Sequence, residues 1–100
     1  MKVYNVMSMS KFYYDFSTLI YKEGCYFKKA DAIKRKEKVI ENLKNDWAEE
    51  IIMYGDKELY PEEDGAALYI EDDEIYFEMS YGNDENQAVH QVWIDELEVK

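Results

Sequence analysis

The chain has 100 residues, a single domain by size, and its 47% hydrophobic and 16% aromatic content excludes a disordered chain even with 35% charged residues. Its net charge of −11 is unevenly distributed: residues 1–44 hold ten basic and five acidic side chains (+5), and residues 45–100 hold two basic and eighteen acidic ones (−16). An acidic surface repels phosphates, so neither nucleic acid nor anionic lipid is expected as a direct ligand, and a basic protein partner is.

In chain order, residues 2–9 alternate, with Val3, Met7 and Met9 on one parity and Tyr4 and Val6 on the other. Apolar groups on both faces predict a central strand. Residues 12–22 are aromatic and β-branched, which predicts a second strand within 16–22, broken at Glu23-Gly24. Lys28 to about Asn45 is the best helix. Ile33, Ile40, Leu43 and Trp47 recur at helical spacing behind Ala30, and Lys34, Arg35, Lys38, Glu41 and Asn42 make up the opposite face. Asp46 with Glu49 fits a capping box. Either a second short helix at about 47–53 or one bent helix reaching Tyr54 satisfies that pattern.

Two glycines and Pro61 make 55–65 a loop. Ala66–Ile70 and Ile75–Tyr81 read as a hairpin whose tip is Glu71-Asp72-Asp73-Glu74. Residues 82–86 form a second polar turn. Residues 87–94 form a last strand, with Val89, Gln91 and Trp93 on one parity and His90, Val92 and Ile94 on the other, and Leu97 and Val99 continue the alternation. The expected fold is a single two-layer α+β domain spanning 1–100, β-β-α-β-β-β. An antiparallel sheet of four or five strands carries one main helix, and the far face of the sheet shows tyrosines and acids.

One cysteine, Cys25, allows no internal disulfide and fits a reducing compartment. Residues 1–5 carry no apolar run of signal-peptide length, and no window approaches a membrane span. A cytoplasmic protein without membrane contact is expected.

Catalytic chemistry finds little support. Cys25 and His90 are the one nucleophile–base pair of that type available, and no orienting group or oxyanion hole is indicated near either. Cys25 reads as a small buried residue beside Phe27, and His90 as a solvent-facing or edge residue. The acidic runs 62–64, 71–74 and 83–86 lack the loop pattern that wraps calcium, so no metal or cofactor is expected. The basic cluster of Lys28, Lys29, Lys34, Arg35, Lys36 and Lys38 reads as a solvated helix face.

The acidic half is the candidate partner surface. Carboxylates spaced along strands and turns can present charge much as a phosphate backbone does, and tyrosines between them add rigid contact area. The residues expected to carry binding are Tyr69, Glu71, Asp72, Asp73, Glu74, Tyr76, Glu78, Asp84 and Glu85. In size, charge and lack of catalytic motif the chain resembles the small acidic inhibitors of phages and mobile elements, including DNA mimics and anti-CRISPR proteins. That likeness covers no aligned residues. It implies a non-enzymatic inhibitor that occupies the basic nucleic-acid channel of a defence nuclease. The alternative is a structural or regulatory module that forms a homodimer through a sheet edge, its acidity serving solubility alone.

Overall fold

A computed structural model describes residues 1–13, 16–48, 67–82 and 87–99. Among these residues six elements are present: β1 (Lys2–Phe12), β2 (Ser17–Tyr26), α1 (Lys29–Asp46), β3 (Ala67–Asp72), β4 (Tyr76–Gly82) and β5 (Ala88–Glu98). The strands form one antiparallel sheet in the order β2-β1-β5-β4-β3, so the fold is the two-layer α+β domain the periodicities predict. The first and last strands are neighbours in the middle of the sheet, in register from Lys2 opposite Glu98 to Phe12 opposite Ala88. The short helix expected at about 47–53 and the polar turn at 82–86 lie mostly outside the described residues.

Alternation assigns each strand two faces. Val6 pairs with Ile94, and Val92 with Phe77. Together with Leu68, Met79, Tyr81 and Ala88 these side chains form the core under the helix. From α1, Ala32, Val39 and Ile40 are buried in it, while Ile33, Leu43 and Trp47 pack at its margin. Ala30, expected to lead the stripe, is exposed.

Lys36, expected on the solvated face of the helix, lies in the middle of the buried stripe. Its side chain is only 4% exposed, and its ammonium reaches Asp72 at 2.8 Å and the carbonyl of Asp73 at 2.5 Å. The long methylene stem crosses the core margin and delivers the charge to the start of the β3–β4 turn, a snorkelling geometry.

β2 does not stop at Gly24. Val6 faces Gly24 and Met7 faces Lys22, so Glu23 is the extra residue of a bulge and the strand runs on to Tyr26. A Cβ on Gly24 would lie 2.7 Å from the Tyr26 ring, so the bare glycine leaves that ring room to lie back over the strand. Glu23, turned out of register, accepts from Ser8 Oγ at 2.8 Å, and the Arg35 guanidinium donates to both its backbone carbonyl and its carboxylate.

Candidate functional site

Two residues singled out for chemistry sit elsewhere than expected. Cys25 is exposed on the edge strand β2, where it was read as buried. His90 is 1% exposed on the central strand β5, where it was read as solvent-facing. Cys25 shares a sheet row with Asn5 and Asp95, whereas His90 shares one with Ser10. Five residues of strand separate those rows, about 17 Å, and the two side chains belong to opposite faces. They make no nucleophile–base pair.

His90 is instead a satisfied core histidine. Its Nδ1 lies 2.8 Å from Ser10 Oγ and its Nε2 3.2 Å from the Tyr81 hydroxyl. The rings of Phe12, Trp47 and Tyr81 surround it at 5.6, 5.1 and 5.7 Å. Burial pushes its pKa down to about 4, so the ring is neutral at pH 7, one nitrogen donating and the other accepting. Nearby, a cleft of about 230 Å³ opens between the C-terminal half of α1 and strands β1 and β2. Its serine hydroxyls are already engaged, Ser8 with Glu23 and Ser10 with His90.

The acids at 71–74 divide by strand parity. Glu71 and Asp72 belong to β3 and not to a turn, so they point to opposite faces. Asp72 faces the helix and holds Lys36. Asp73 forms the turn: its carboxylate accepts from the backbone amides of Ile75 and Tyr76 at 2.8 and 2.7 Å, and those two bonds hold its pKa below the ordinary value. Glu74 pairs with Lys29 at 3.0 Å, both largely in water. Asp72, Asp73 and Glu74 therefore bind the helix or the turn, and Glu71 lies on the other face of β3. Asp84 and Glu85 lie outside the described residues.

Tyr69, Glu71, Tyr76 and Glu78 come together on the face of the sheet opposite α1. Glu71 stands directly across from Glu78, and Glu78 across from Gln91. Tyr69 donates its hydroxyl proton to Glu71 at 2.5 Å, and Gln91 Nε2 donates to Glu78 at 2.9 Å. Tyr76 also bonds Glu78. Burial first, then the charge and hydrogen bond of Glu78, push its pKa up to about 12. Tyr76 lies across from Trp93, and Trp93 across from Met7. Asp95, two residues beyond Trp93, adds a third carboxylate on the same face. Neighbouring strands place these groups about 5 Å apart, and alternate residues about 7 Å apart along a strand.

Two carboxylates directly opposed on one sheet face repel each other and destabilise the pairing. Here that arrangement is held in place by donors on either side, Tyr69, Tyr76 and Gln91. Trp93, Gln91 and Asp95 were not among the expected site residues. The shared parity of Val89, Gln91 and Trp93 was the signal that could have added two of them.

Among the described residues no helix is long and apolar enough to cross a membrane. The basic helix face is partly used internally: Lys29, Arg35 and Lys36 contact Glu74, Glu23 and Asp72. The chain matches no family model, no curated protein and no solved structure.

Proposed function

We propose that this protein is a non-enzymatic inhibitor that binds a basic, nucleic-acid-handling protein through the face of β3, β4 and β5 opposite α1. The observation that carries the reading is the opposed pair Glu71 and Glu78, bracketed by Tyr69, Tyr76 and Trp93. A guanidinium placed between two carboxylates relieves their repulsion, accepts bidentate geometry and stacks on aromatic rings. Arginines that line a nucleic-acid channel are the natural partners of such a surface. The anti-defence inhibitors of phages, anti-CRISPR and anti-restriction proteins among them, act on proteins of this kind. Occupation of the channel is steric, and the net charge speeds encounter.

The test is inhibition of DNA cleavage by a panel of bacterial defence nucleases, guided and restriction types, at low and high salt. Inhibition by the native protein should weaken steeply as salt rises, because exposed charges are screened beyond roughly 8 Å at physiological ionic strength. With a nuclease that responds, a Glu71→Gln, Glu78→Gln variant should slow association more than it speeds dissociation. A Lys34→Gln, Lys38→Gln variant should change little. If the helix variant loses binding and the carboxylate variant keeps it, the interface is the helix and the proposed mechanism is wrong.

A further inference from the structure

The sheet has a second surface that the acidic face does not explain, the outer edge of β2. Among the described residues β2 pairs with β1 alone. The bulge at Glu23 disturbs its far end, so the regular stretch is Ser17 to Lys22, facing Phe12 to Met7 in unbroken register. Edge strands are normally guarded by charge, proline or a bulge within the pairing stretch. This stretch carries one charge, Lys22, and no proline. Its apolar side chains stand in water: Leu19 is 46% exposed, Ile20 61% and Tyr21 55%, and Phe16 just before the strand is 87% exposed. Phe16 also sits at φ 57°, a left-handed conformation uncommon for an aromatic residue.

We propose that this edge pairs antiparallel with the same edge of a second copy, about a two-fold axis at Ile20, joining two five-stranded sheets into one. Residues that face each other in such a pairing share a sheet face, so the axis must pass through a residue. With Ile20 on the axis, Ile20 meets its own mate, Leu19 meets Tyr21, and Thr18 meets Lys22. Apolar groups face apolar groups on both faces, and no like charges are opposed. An axis at Tyr21 would set Ile20 against Lys22 and Leu19 against Glu23. An axis at Leu19 would leave Tyr21 against Ser17.

Charge selects a second copy as the occupant. A strand with acids beside its pairing edge would bring them close to a molecule of net charge −11. A basic one is drawn to the acids of β3 and β4, at the opposite edge of the sheet, and meets Lys22 here. A second copy brings a near-neutral edge to a near-neutral edge and leaves both sets of acidic strands at the two far ends of the joined sheet, where their repulsion is least. The proposal is independent of the acidic-face reading, since it needs no partner protein.

The test uses the purified full-length chain alone. Sedimentation should show mass rising with concentration from 12.0 kDa toward twice that value. Added salt should favour the dimer or leave it unchanged, because net repulsion is screened and the contact itself is apolar. Ile20→Lys should lose the dimer with an unchanged circular dichroism spectrum. In a Cys25→Ser background, Ile20→Cys should form a disulfide dimer much faster than Lys22→Cys, because only a residue on the axis faces its own mate within bonding range. Monomer at every concentration overturns the proposal. So does a dimer that survives Ile20→Lys, or cross-linking that is no faster at 20 than at 22. Loss of dimer in Glu71→Gln, Glu78→Gln would place self-association on the acidic face and overturn it as well.

Discussion

At one edge of the sheet, β3 carries Glu71 and Asp72 and runs directly into Asp73 and Glu74, four acids in succession. At the other, the regular part of β2 carries one lysine and presents leucine, isoleucine and tyrosine to water. A single strand separates β2 from the centre of the sheet, and a single strand separates β3 from it. Both edges are tied to α1, β3 and its turn by Lys36–Asp72 and Lys29–Glu74 and the bulged end of β2 by Arg35–Glu23, but along the regular part of β2 Leu19, Ile20 and Tyr21 are exposed. If acidity served solubility alone, it would be needed most at the apolar edge, and that is where it is absent. The uneven charge fits the two proposed surfaces, an acidic face and a self-complementary edge.

Any measurement of the two edges needs a pH at which the middle of the sheet is constant, and the largest expected effect sets that limit. His90 titrates at about 4 in the folded protein against 6.5 in the unfolded chain. Its folded pKa is depressed, so the unfolded state binds more protons between those values. Its contribution is fully present above 6.5 and is lost as pH falls through 4. The shift corresponds to on the order of 3 kcal/mol. Urea unfolding at intervals from pH 7.5 to 4 should show this slope, and His90→Gln should flatten it. A native curve already flat across the window would mean that His90 is not held neutral. The Asp73 turn weakens in a separate, lower window, below its ordinary value of 3.8, since its pKa is also depressed.

Above pH 6.5 the β3 edge should be the costly one to alter. Asp72→Ala strands the Lys36 ammonium, whose side chain is 4% exposed, without its counter-charge. Breaking a fully buried pair costs about 3–5 kcal/mol. Asp72 is half exposed, so water supplies part of the loss, and about 2 kcal/mol is expected. Lys36→Met removes the charge and keeps the stem, and should cost less than Asp72→Ala. The reverse order in chemical denaturation would show that the lysine's packing, and not its pairing, holds this edge.

A smaller effect should have the opposite sign. Glu78→Gln removes the repulsion across β3 and β4 and should stabilise the protein by roughly 0.2–1 kcal/mol, the scale of cross-strand pairs. The same change should lower the Tyr76 pKa from about 12, since the charge and hydrogen bond of Glu78 contribute to raising it. Ultraviolet titration of the tyrosines reads that shift. If Glu78→Gln is destabilising and leaves the late-titrating tyrosine where it was, the opposed carboxylates are a structural pair, and the case for a binding face weakens.

Much of this architecture was legible in the alternation of the strands and the 3.6-residue rhythm of α1, because both follow directly from burying one face. The failures have a common physical cause. Lys36 was read as solvent-facing because it is charged, although a long stem lets a charge cross a core margin. His90 was read as exposed because it is polar, although Ser10 and Tyr81 satisfy both ring nitrogens. Four consecutive acids were read as one tip, although a strand sends neighbours to opposite faces and so divides Glu71 from Asp72. Gly24 was read as a break because a bulge depends on the partner strand, which local sequence does not reveal. Tyr69, Tyr76 and Glu78 were named for lying beside the acidic tip, and the strands place them with Glu71 on one sheet face. Trp93 and Gln91 complete that face only through the β4–β5 register.

The smallest expected effect is on the folding of one chain, and it sharpens the comparison most. Ile20→Lys places a second positive charge on the β2 edge, two residues from Lys22 on the same face. Ile20 is 61% exposed, so the monomer loses little buried area, and surface changes of this kind stay within about 0.5 kcal/mol. Unfolding at low protein concentration should therefore scarcely distinguish the variant from the native chain. At high concentration the two should separate, because a dimer adds stability by mass action to the native protein alone. The midpoint of the native chain should rise with concentration while that of Ile20→Lys stays fixed. A fixed midpoint for both would assign the exposed apolar edge no role in assembly. A large loss in the variant at low concentration would mean that Ile20 supports the fold of the single chain, and the contrast between the two edges would no longer hold.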